Sequence, residues 1–195
     1  MHALVQTIEF RGIDTIPVDV QVHIANGLPT ITIVGLADKV VTESRERVRA
    51  ALASIGLALP PKRIAVNLAL ADVVKEGAHF DLLIALGLLI AMGVVSPDVI
   101  ADRVVLGELA LDGSIQQVSG VLPAALAAVA SGQHLICPAA CGPEAAWASG
   151  LDIIAAPHLV SLLNHLKGVQ IRSPPEPITR YSGWRAPSPI LTPRQ

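Results

Sequence analysis

No Gly-Lys dipeptide occurs anywhere in the 195 residues of this chain. A Walker phosphate-binding loop ends in Gly-Lys-Ser/Thr, because backbone amides and a lysine must surround the phosphates. A G-x-G-x-x-G motif is also missing, and the glycines of "GSIQQVSG" (113–120) are too far apart to replace one. We therefore do not expect this polypeptide alone to hydrolyse ATP.

Basic residues are scarce as well, since no Lys or Arg occurs from Val104 to Leu166. The formal net charge is −2 at pH 7, which provides no general attraction to nucleic acid or to anionic lipid, although local patches could still bind. The segment "MHALVQTIEFRGID" lacks the basic stretch and following apolar stretch of a secretory signal.

Cysteine is limited to Cys137 and Cys141. Two cysteines are too few for a disulfide framework, and their number fits a reducing cytoplasm. Their C-x₃-C spacing spans a proline, and the six histidines are scattered without an H-E-x-x-H motif. We expect two ordinary buried thiols, no metal site and a cytoplasmic protein.

The conspicuous apolar run from Leu82 to Val95 is shorter than the roughly 20 residues that a membrane-spanning helix needs. With Asp81 before it and Asp98 beyond it, this run predicts a core helix that is buried on most faces. No membrane is expected as a partner. Hydrophobic residues make up 52% of the chain and aromatics 3%, which favours a core of Ala, Val, Ile and Leu formed by helices that cover a sheet.

Periodic patterns predict an α/β (α+β) domain with a mixed sheet. Alternating segments at 3–10, 15–25 and 29–36 indicate three strands in a meander. Helical spacing predicts an amphipathic helix over 37–56, a strand follows at 63–70, and Asp112-Gly113 indicates a two-residue hairpin. Further helices and strands alternate up to residue 168. Residues 169–195 contain six prolines and are predicted to be a linker or disordered tail.

The start of the apolar helix is one candidate site. His79 lies beside Asp81 and Glu76, and the positive end of a helix dipole with three polar side chains could orient a proton carrier. The alternative is a capped helix whose carboxylates favour the dipole.

A second candidate is the arginine-rich stretch "ESRERVR". Arg45 and Arg49 share one side of a helix, and Glu46 is expected near Arg49, so a solvated ion-paired face is one interpretation. An interface for a neighbouring subunit or for phosphates is the other. The candidate contact residues in the two regions are Glu43, Arg45, Arg47, Arg49, Lys75, Glu76, His79 and Asp81.

Three segments, at 26–56, 61–89 and 107–128, carry a family resemblance. They read "NGLPTITIVGLADKVVTESRERVRAALASIG", "PKRIAVNLALADVVKEGAHFDLLIALGLL" and "GELALDGSIQQVSGVLPAALAA". Together they resemble the N-terminal domain of the Mg-chelatase-like ATPases, the ComM/YifB family of bacteria, over nearly all of residues 3–168. In that family the domain precedes a hexamer-forming AAA+ ATPase module.

The domain also resembles the proteolytic domain of Lon, whose fold is shared with a small-subunit ribosomal protein (ribosomal protein domain 2-like) and GHMP kinases. The Lon motif K-D-G-P-S-A-G corresponds here to residues 75–81, and His79 stands in the place of the nucleophilic serine. The Lon lysine motif G-G-L-K-E-K corresponds to "SGVLPA" (119–124), which has no lysine.

A serine–lysine dyad needs a hydroxyl that attacks and an amine that accepts its proton. Because both are missing, the resemblance implies a retained scaffold that is not an enzyme. Gly77 would form the turn, and Glu76 and Asp81 would lie near the helix N-terminus.

The expected ATPase module is absent, so the chain is expected to be a fragment, a frameshift product or a solitary paralogue. ATP and Mg²⁺ would belong to that module, and no cofactor is expected here. The first hypothesis is a non-catalytic module that supports ring assembly or substrate engagement in DNA processing and competence. Its partners would be an AAA+ module or hexameric subunits of the same family, with DNA reached through the full-length protein. The alternatives are an accessory of ATP-driven magnesium chelatase, or an enzyme that uses His79 with Asp81 or Glu76.

Overall fold

The computed structural model describes residues 2–11, 14–36, 38–69 and 79–178. The strands in these ranges are β1 (His2–Arg11), β2 (Asp14–Ala25), β3 (Thr30–Val34), β4 (Arg63–Ala69), β5 (Arg103–Val105), β6 (Glu108–Leu109), β7 (Ile115–Gln116), β8 (His134–Pro138) and β9 (Ile153–Ala156). The helices are α1 (Asp38–Ser54), α2 (Asp81–Ala91), α3 (Val121–Ala130), α4 (Gly142–Ala145) and α5 (Leu159–Leu166).

Seven strands form one mixed sheet in the order β3-β4-β2-β1-β5-β8-β9. The pairs β1–β2 and β2–β4 are antiparallel, whereas β3–β4, β1–β5, β5–β8 and β8–β9 are parallel. This arrangement confirms the predicted fold class, an α/β domain with a mixed sheet.

The predicted meander is wrong at its third strand. β3 does not pair with β2, because β4 lies between them and pairs with β2 from Asp19–Ala69 to Ala25–Arg63. β4 is longer than β3 and matches β2 over more residues, and helix α1 provides the long connection that the parallel β3–β4 pair needs. β3 is consequently an edge strand of the sheet.

Helix α1 has the amphipathic pattern that its sequence predicts. Val48, Ala51 and Leu52 are buried, and Gly56 follows the helix with a positive φ of 78° and an amide that donates to the Ala53 carbonyl. In α2 every residue from Asp81 to Ala91 is buried, as predicted for a core helix. No helix in the described ranges is both long enough and apolar enough to span a bilayer.

The sheet separates two apolar clusters. The larger contains buried residues of α1, α2 and α5, and the smaller contains those of α3 and α4. Helix α2 approaches β2 closely through Gly87, where a Cβ would lie 2.7 Å from Val22 Cγ2. This close approach allows α2 to pack directly on β2.

The hairpin predicted at Asp112-Gly113 is confirmed, but its loop has three residues. The Ala110 amide donates to Ser114 O, and Gly113 has a φ of 87° at the third loop position. A left-handed residue at that position is typical of three-residue hairpin loops.

The residues after α5 have neither helix nor strand up to residue 178, and they lie against the domain. Arg172 Nε donates to Ala155 O over 2.7 Å, and Trp147 Nε1 donates to Ile178 O over 3.1 Å. The division of the chain at residue 168 stays a prediction, and residues 179–195 of the predicted tail lie outside the described residues.

Candidate functional site

The N-terminus of α2 is fixed by the segment that follows β5. The Leu82 amide donates to Gly107 O over 3.0 Å, and the Gly107 amide donates to His79 O over 3.2 Å. A Cβ at Gly107 would lie 2.9 Å from Leu82 Cδ2 and 3.0 Å from Ile115 Cγ2. Glycine therefore allows this backbone to approach closely enough to satisfy an amide of the first helical turn.

Asp81, the first residue of α2, is fully buried and bonded to α1. Its carboxylate accepts hydrogen bonds from Ser44 Oγ at 2.5 Å and Arg47 Nε at 2.6 Å. The Leu109 amide adds a longer contact of 3.4 Å. We call Ser44, Arg47 and Asp81 the buried triad, which joins two helices through charge-assisted hydrogen bonds.

Burial and hydrogen bonding shift the pKa values of the charged residues of the buried triad in opposite directions. Burial raises the pKa of Asp81, and the hydrogen bonds from Arg47 and Ser44 act against that rise. Burial lowers the pKa of Arg47, but the hydrogen bond and charge of Asp81 outweigh it, so that this pKa is raised. A buried carboxylate needs such donors to keep its charge.

His79 lies beside a buried carboxylate that the sequence analysis missed. Its Nε2 lies 3.7 Å from Glu9 Oε2 of β1, and only 12% of the His79 side chain is exposed. Burial lowers the pKa of His79 to about 4, so the ring is neutral at pH 7. Glu9 could have been found from the alternation of β1, where it continues the buried row that includes Ala3 and Val5.

The hydroxyls near this helix start are already engaged. Ser44 donates to Asp81, and Thr7 Oγ1 donates to Val105 O over 2.6 Å. Both residues are 1% exposed. Because both hydroxyls are buried and donate to partners inside the domain, neither is accessible for attack on a substrate.

The structure brings only some of the predicted contact residues to the surface. Glu43 and Arg49 are exposed and Arg45 is half-buried, whereas Asp81 is buried and Arg47 turns inward to it. The prediction of Asp81 as a surface contact is corrected, because its carboxylate is bonded inside the domain.

Glu46 forms its salt bridge with a different arginine from the one that the sequence indicated. Its carboxylate lies 3.6 Å from Arg45 Nε, and it shares a surface groove with Arg49. This exposed pair is the kind that contributes little to stability. Lys75, Glu76 and Gly77 lie outside the described residues.

Cys137 and Cys141 are buried in the smaller apolar cluster, as predicted. Burial raises the pKa of Cys137 to about 12 and also raises the pKa of Cys141. Across the described ranges, no three His, Cys, Asp or Glu side chains are grouped to hold a metal ion.

Arg45 and Arg49 line a surface groove of about 840 Å³ between α1, β3 and the loop that leads to β4. Lys62 adds a third cation and Glu46 a carboxylate, and Ile31, Ile64, Leu57 and Leu59 supply apolar surface. We call this the β3 groove. It lies at the N-terminal ends of β3 and β4, whereas α2 begins beyond the C-terminal end of β4.

Comparison with known proteins gives a consistent family assignment. The family model for subunit ChlI of Mg-chelatase matches residues 20–141. The protein YifB of Escherichia coli K12 is 36% identical over 180 residues, which is 92% of this chain and 36% of that protein. The competence protein ComM of Haemophilus influenzae is 39% identical over 166 residues, which is 85% of this chain and 33% of that protein.

An uncharacterized protein of Mycobacterium tuberculosis H37Rv is 36% identical over 163 residues, which is 83% of this chain and 32% of that protein. The chain thus spans about a third of the length of these curated relatives. The family match includes α1, β4, α2 and the β6–β7 hairpin, the elements that form the buried triad and its surroundings. The chain therefore belongs to the ChlI family of Mg-chelatase subunits, as an N-terminal domain of the ComM/YifB type.

Proposed function

We propose that this chain is a non-catalytic module that associates with an AAA+ ATPase module of the ComM/YifB type and supports ring assembly or substrate engagement in DNA processing. The observation that carries the proposal is the buried triad. A Lon-type peptidase has its nucleophile where this chain has His79, and the Asp81 carboxylate two residues later is bonded to Ser44 and Arg47 of α1.

The composition supports the same proposal. A serine–lysine dyad needs a desolvated amine, and no lysine occurs between Val104 and Leu166, where the family resemblance would place it. His79 occupies the position of the serine and faces Glu9 inside the domain. The arrangement fits a scaffold in which His79 lies beside Glu9 of β1 and Asp81 joins α2 to α1.

The docking role is supported by the charge distribution on α1. Arg45 and Arg49 reach the surface on one side of the helix, in a chain whose overall net charge is −2. Competence is part of the name of the Haemophilus influenzae relative, and this supports DNA processing as the setting for the present chain.

The test measures association of this chain with the part of a longer relative that follows the matched third. Analytical ultracentrifugation should detect a complex, and the double variant Arg45→Glu/Arg49→Glu should weaken it by about tenfold. Lys167→Glu, a charge reversal on an exposed residue after α5, is the matched control. Unchanged association in the double variant would overturn the role of α1.

Catalysis is tested separately with the His79→Ala variant. The non-catalytic role would be overturned if the purified chain hydrolysed a peptide and a folded His79→Ala variant did not. We expect no hydrolysis by either protein.

The second candidate is an accessory role in magnesium insertion, which the description of the matching family, subunit ChlI of Mg-chelatase, favours. Its test is a porphyrin metallation assay with the other chelatase subunits and ATP. An increase in the rate when this chain is added would support the chelatase role over the DNA-processing role.

A further inference from the structure

The free edge of β3 is unusual in its composition. Every residue of Thr30–Val34 is β-branched, and the strand contains no charge and no proline. Natural sheets protect their edges with charged residues, prolines or bulges, because unpaired backbone groups otherwise recruit another strand. Within the described part of the chain, β4 is the strand that pairs with β3, and the other edge of β3 is open.

The register shows which backbone groups are available at this edge. The Thr30 amide donates to Lys62 O over 3.3 Å, so that amide faces β4. Because strand amides alternate between the two sides, the amides and carbonyls of Ile31 and Ile33 face away from β4. An incoming extended peptide could pair with them.

The side chains of the β3 groove determine the chemistry of such a peptide. Three cations, Arg45, Arg49 and Lys62, face one carboxylate, Glu46. Arg49 and Lys62 form no salt bridge with any other described residue. The groove therefore has a local excess of positive charge in a chain of net charge −2.

The spacing of the two arginines matches that of a strand. Residues four apart on a helix lie about 6 Å apart along its axis, and alternate residues of a strand lie roughly 6.6 Å apart. Ile31 and Ile33 point toward the α1 side of the sheet, where they contact or join the larger apolar cluster. Acidic residues at alternate positions of an added strand would therefore meet Arg45 and Arg49 together.

We infer that the β3 groove binds an extended acidic peptide segment, which adds to the edge of β3 and places two alternate carboxylates on Arg45 and Arg49. This inference rests on the proposed docking function and names the chemistry of its partner. Backbone pairing would supply affinity and the two arginines would supply specificity, as in other cases of strand addition.

Nucleic acid fits the β3 groove less well. The lining contains Ile31, Ile64, Leu57 and Leu59 but no aromatic side chain on which a base could stack. The local charge excess is small compared with the several phosphate contacts that nucleic-acid binding usually needs. The unpaired amides and carbonyls of β3 can form hydrogen bonds with the backbone of a peptide. A phosphodiester chain has no matching series of donors and acceptors.

The test uses fluorescence anisotropy with a labelled octapeptide of alternating Thr and Glu. A peptide of the same composition with its glutamates in adjacent pairs is the matched control, because it directs only half of them to the α1 side. We expect the alternating peptide to bind at least about fivefold more tightly than the control. A lysine-containing peptide and a short oligothymidylate complete the set of probes.

Protein variants locate the site. Arg45→Glu/Arg49→Glu should weaken binding of the alternating peptide by about tenfold or more, and Lys167→Glu should leave it unchanged. Circular dichroism of the variants checks that each is folded. In the complex, the amides of Ile31 and Ile33 should exchange more slowly with deuterium, since they become paired.

Three outcomes would overturn the inference: no saturable binding of the alternating peptide, equal binding of the paired-glutamate control, or tighter binding of the oligothymidylate. The same measurements distinguish failure of the proposed docking function from failure of the strand-addition inference. If the peptide binds but the ATPase region does not associate, the β3 groove stands and the proposed function is wrong. If the ATPase region associates but the peptide does not bind, only the strand-addition inference is wrong.

Discussion

The Arg47 guanidinium of α1 donates to the Asp81 carboxylate at the start of α2 over 2.6 Å, across 34 positions of the chain. The contact is desolvated on the carboxylate side, since Asp81 is 0% exposed and the Arg47 side chain is 19% exposed. Removal of one partner from such a pair leaves a buried charge without compensation. The interaction therefore fixes the angle at which α1 meets the helix that fills the core.

We predict that Asp81→Asn lowers the free energy of unfolding by about 3 kcal/mol and that Arg47→Met lowers it by about 2 kcal/mol. The double variant should lose at least about 1 kcal/mol less than the sum of the two, because each single change already removes the shared contact. Urea denaturation, followed by circular dichroism, measures the free energy of unfolding of the wild type, the two single variants and the double variant, which together form a double-mutant cycle.

Arg45→Met is the matched control for this cycle. Its partner Glu46 is exposed, so the substitution should change stability by less than about 0.5 kcal/mol. Additive losses in the double variant would contradict a direct energetic coupling between Arg47 and Asp81.

The sequence identified α2 and its polar start but not the partners inside the fold. A buried 11-residue helix follows from composition, because every position from Asp81 to Ala91 other than the first is apolar or glycine. The direction of Arg47 does not follow, because its carboxylate partner comes from another helix. Helical spacing places Arg47 among alternating charges on α1, and only the packing of α1 against α2 turns it inward.

The strand order, like the direction of Arg47, does not follow from the sequence pattern. Alternation correctly predicts β1, β2 and β3, but it describes which residues of a strand are buried and not which strand lies beside it. The pairing of β2 with β4 depends on contacts between residues far apart in sequence. For this reason the open edge of β3, and the groove beside it, became visible only in the structure.

A second prediction concerns the pH dependence of stability. Burial lowers the pKa of His79 to about 4 from an ordinary value of 6.5. In the unfolded chain the ring takes up a proton first as the pH falls, so His79 contributes stability that is present above pH 6.5 and lost as the pH falls toward 4. The loss has an upper bound of about 3 kcal/mol, and the nearby Glu9 carboxylate reduces it when ionised.

The measurement compares the free energy of unfolding at pH 7 and pH 4.5 for the wild type and His79→Gln. The His79→Gln variant should lose less stability between pH 7 and pH 4.5, since the glutamine side chain does not titrate. His23→Gln changes an exposed histidine on β2 and should behave as the wild type. Identical losses in the wild type and His79→Gln would argue against a buried neutral ring.

A third prediction follows from the close packing of Gly87 on β2. Alanine favours helices over glycine by up to about 1 kcal/mol, but here its Cβ would lie 2.7 Å from Val22 Cγ2. Val22 is 0% exposed and its β-branched side chain cannot rotate freely away. Gly87→Ala should therefore destabilise the domain by about 1–2 kcal/mol, because overpacking exceeds the gain in helix propensity.

The background variant Val22→Ala removes the obstructing methyl groups and tests this cause. In that background, Gly87→Ala should be neutral or stabilising, as judged by thermal unfolding. If Gly87→Ala destabilises both backgrounds equally, the contact with Val22 is not the reason for the glycine.

A fourth prediction distinguishes buried thiols from a reactive or metal-binding pair. Thiolate is the species that attacks disulfide reagents, and burial raises the pKa of Cys137 to about 12 and also raises that of Cys141. The native protein should therefore react with Ellman's reagent at pH 8 far more slowly than the protein in guanidinium chloride. Ser149→Cys adds a thiol at an exposed position and should introduce one fast phase of native reactivity. Addition of a chelator separates burial from metal protection: an unchanged slow rate supports burial, whereas a chelator-dependent burst from Cys137 and Cys141 would show that a metal held both thiols.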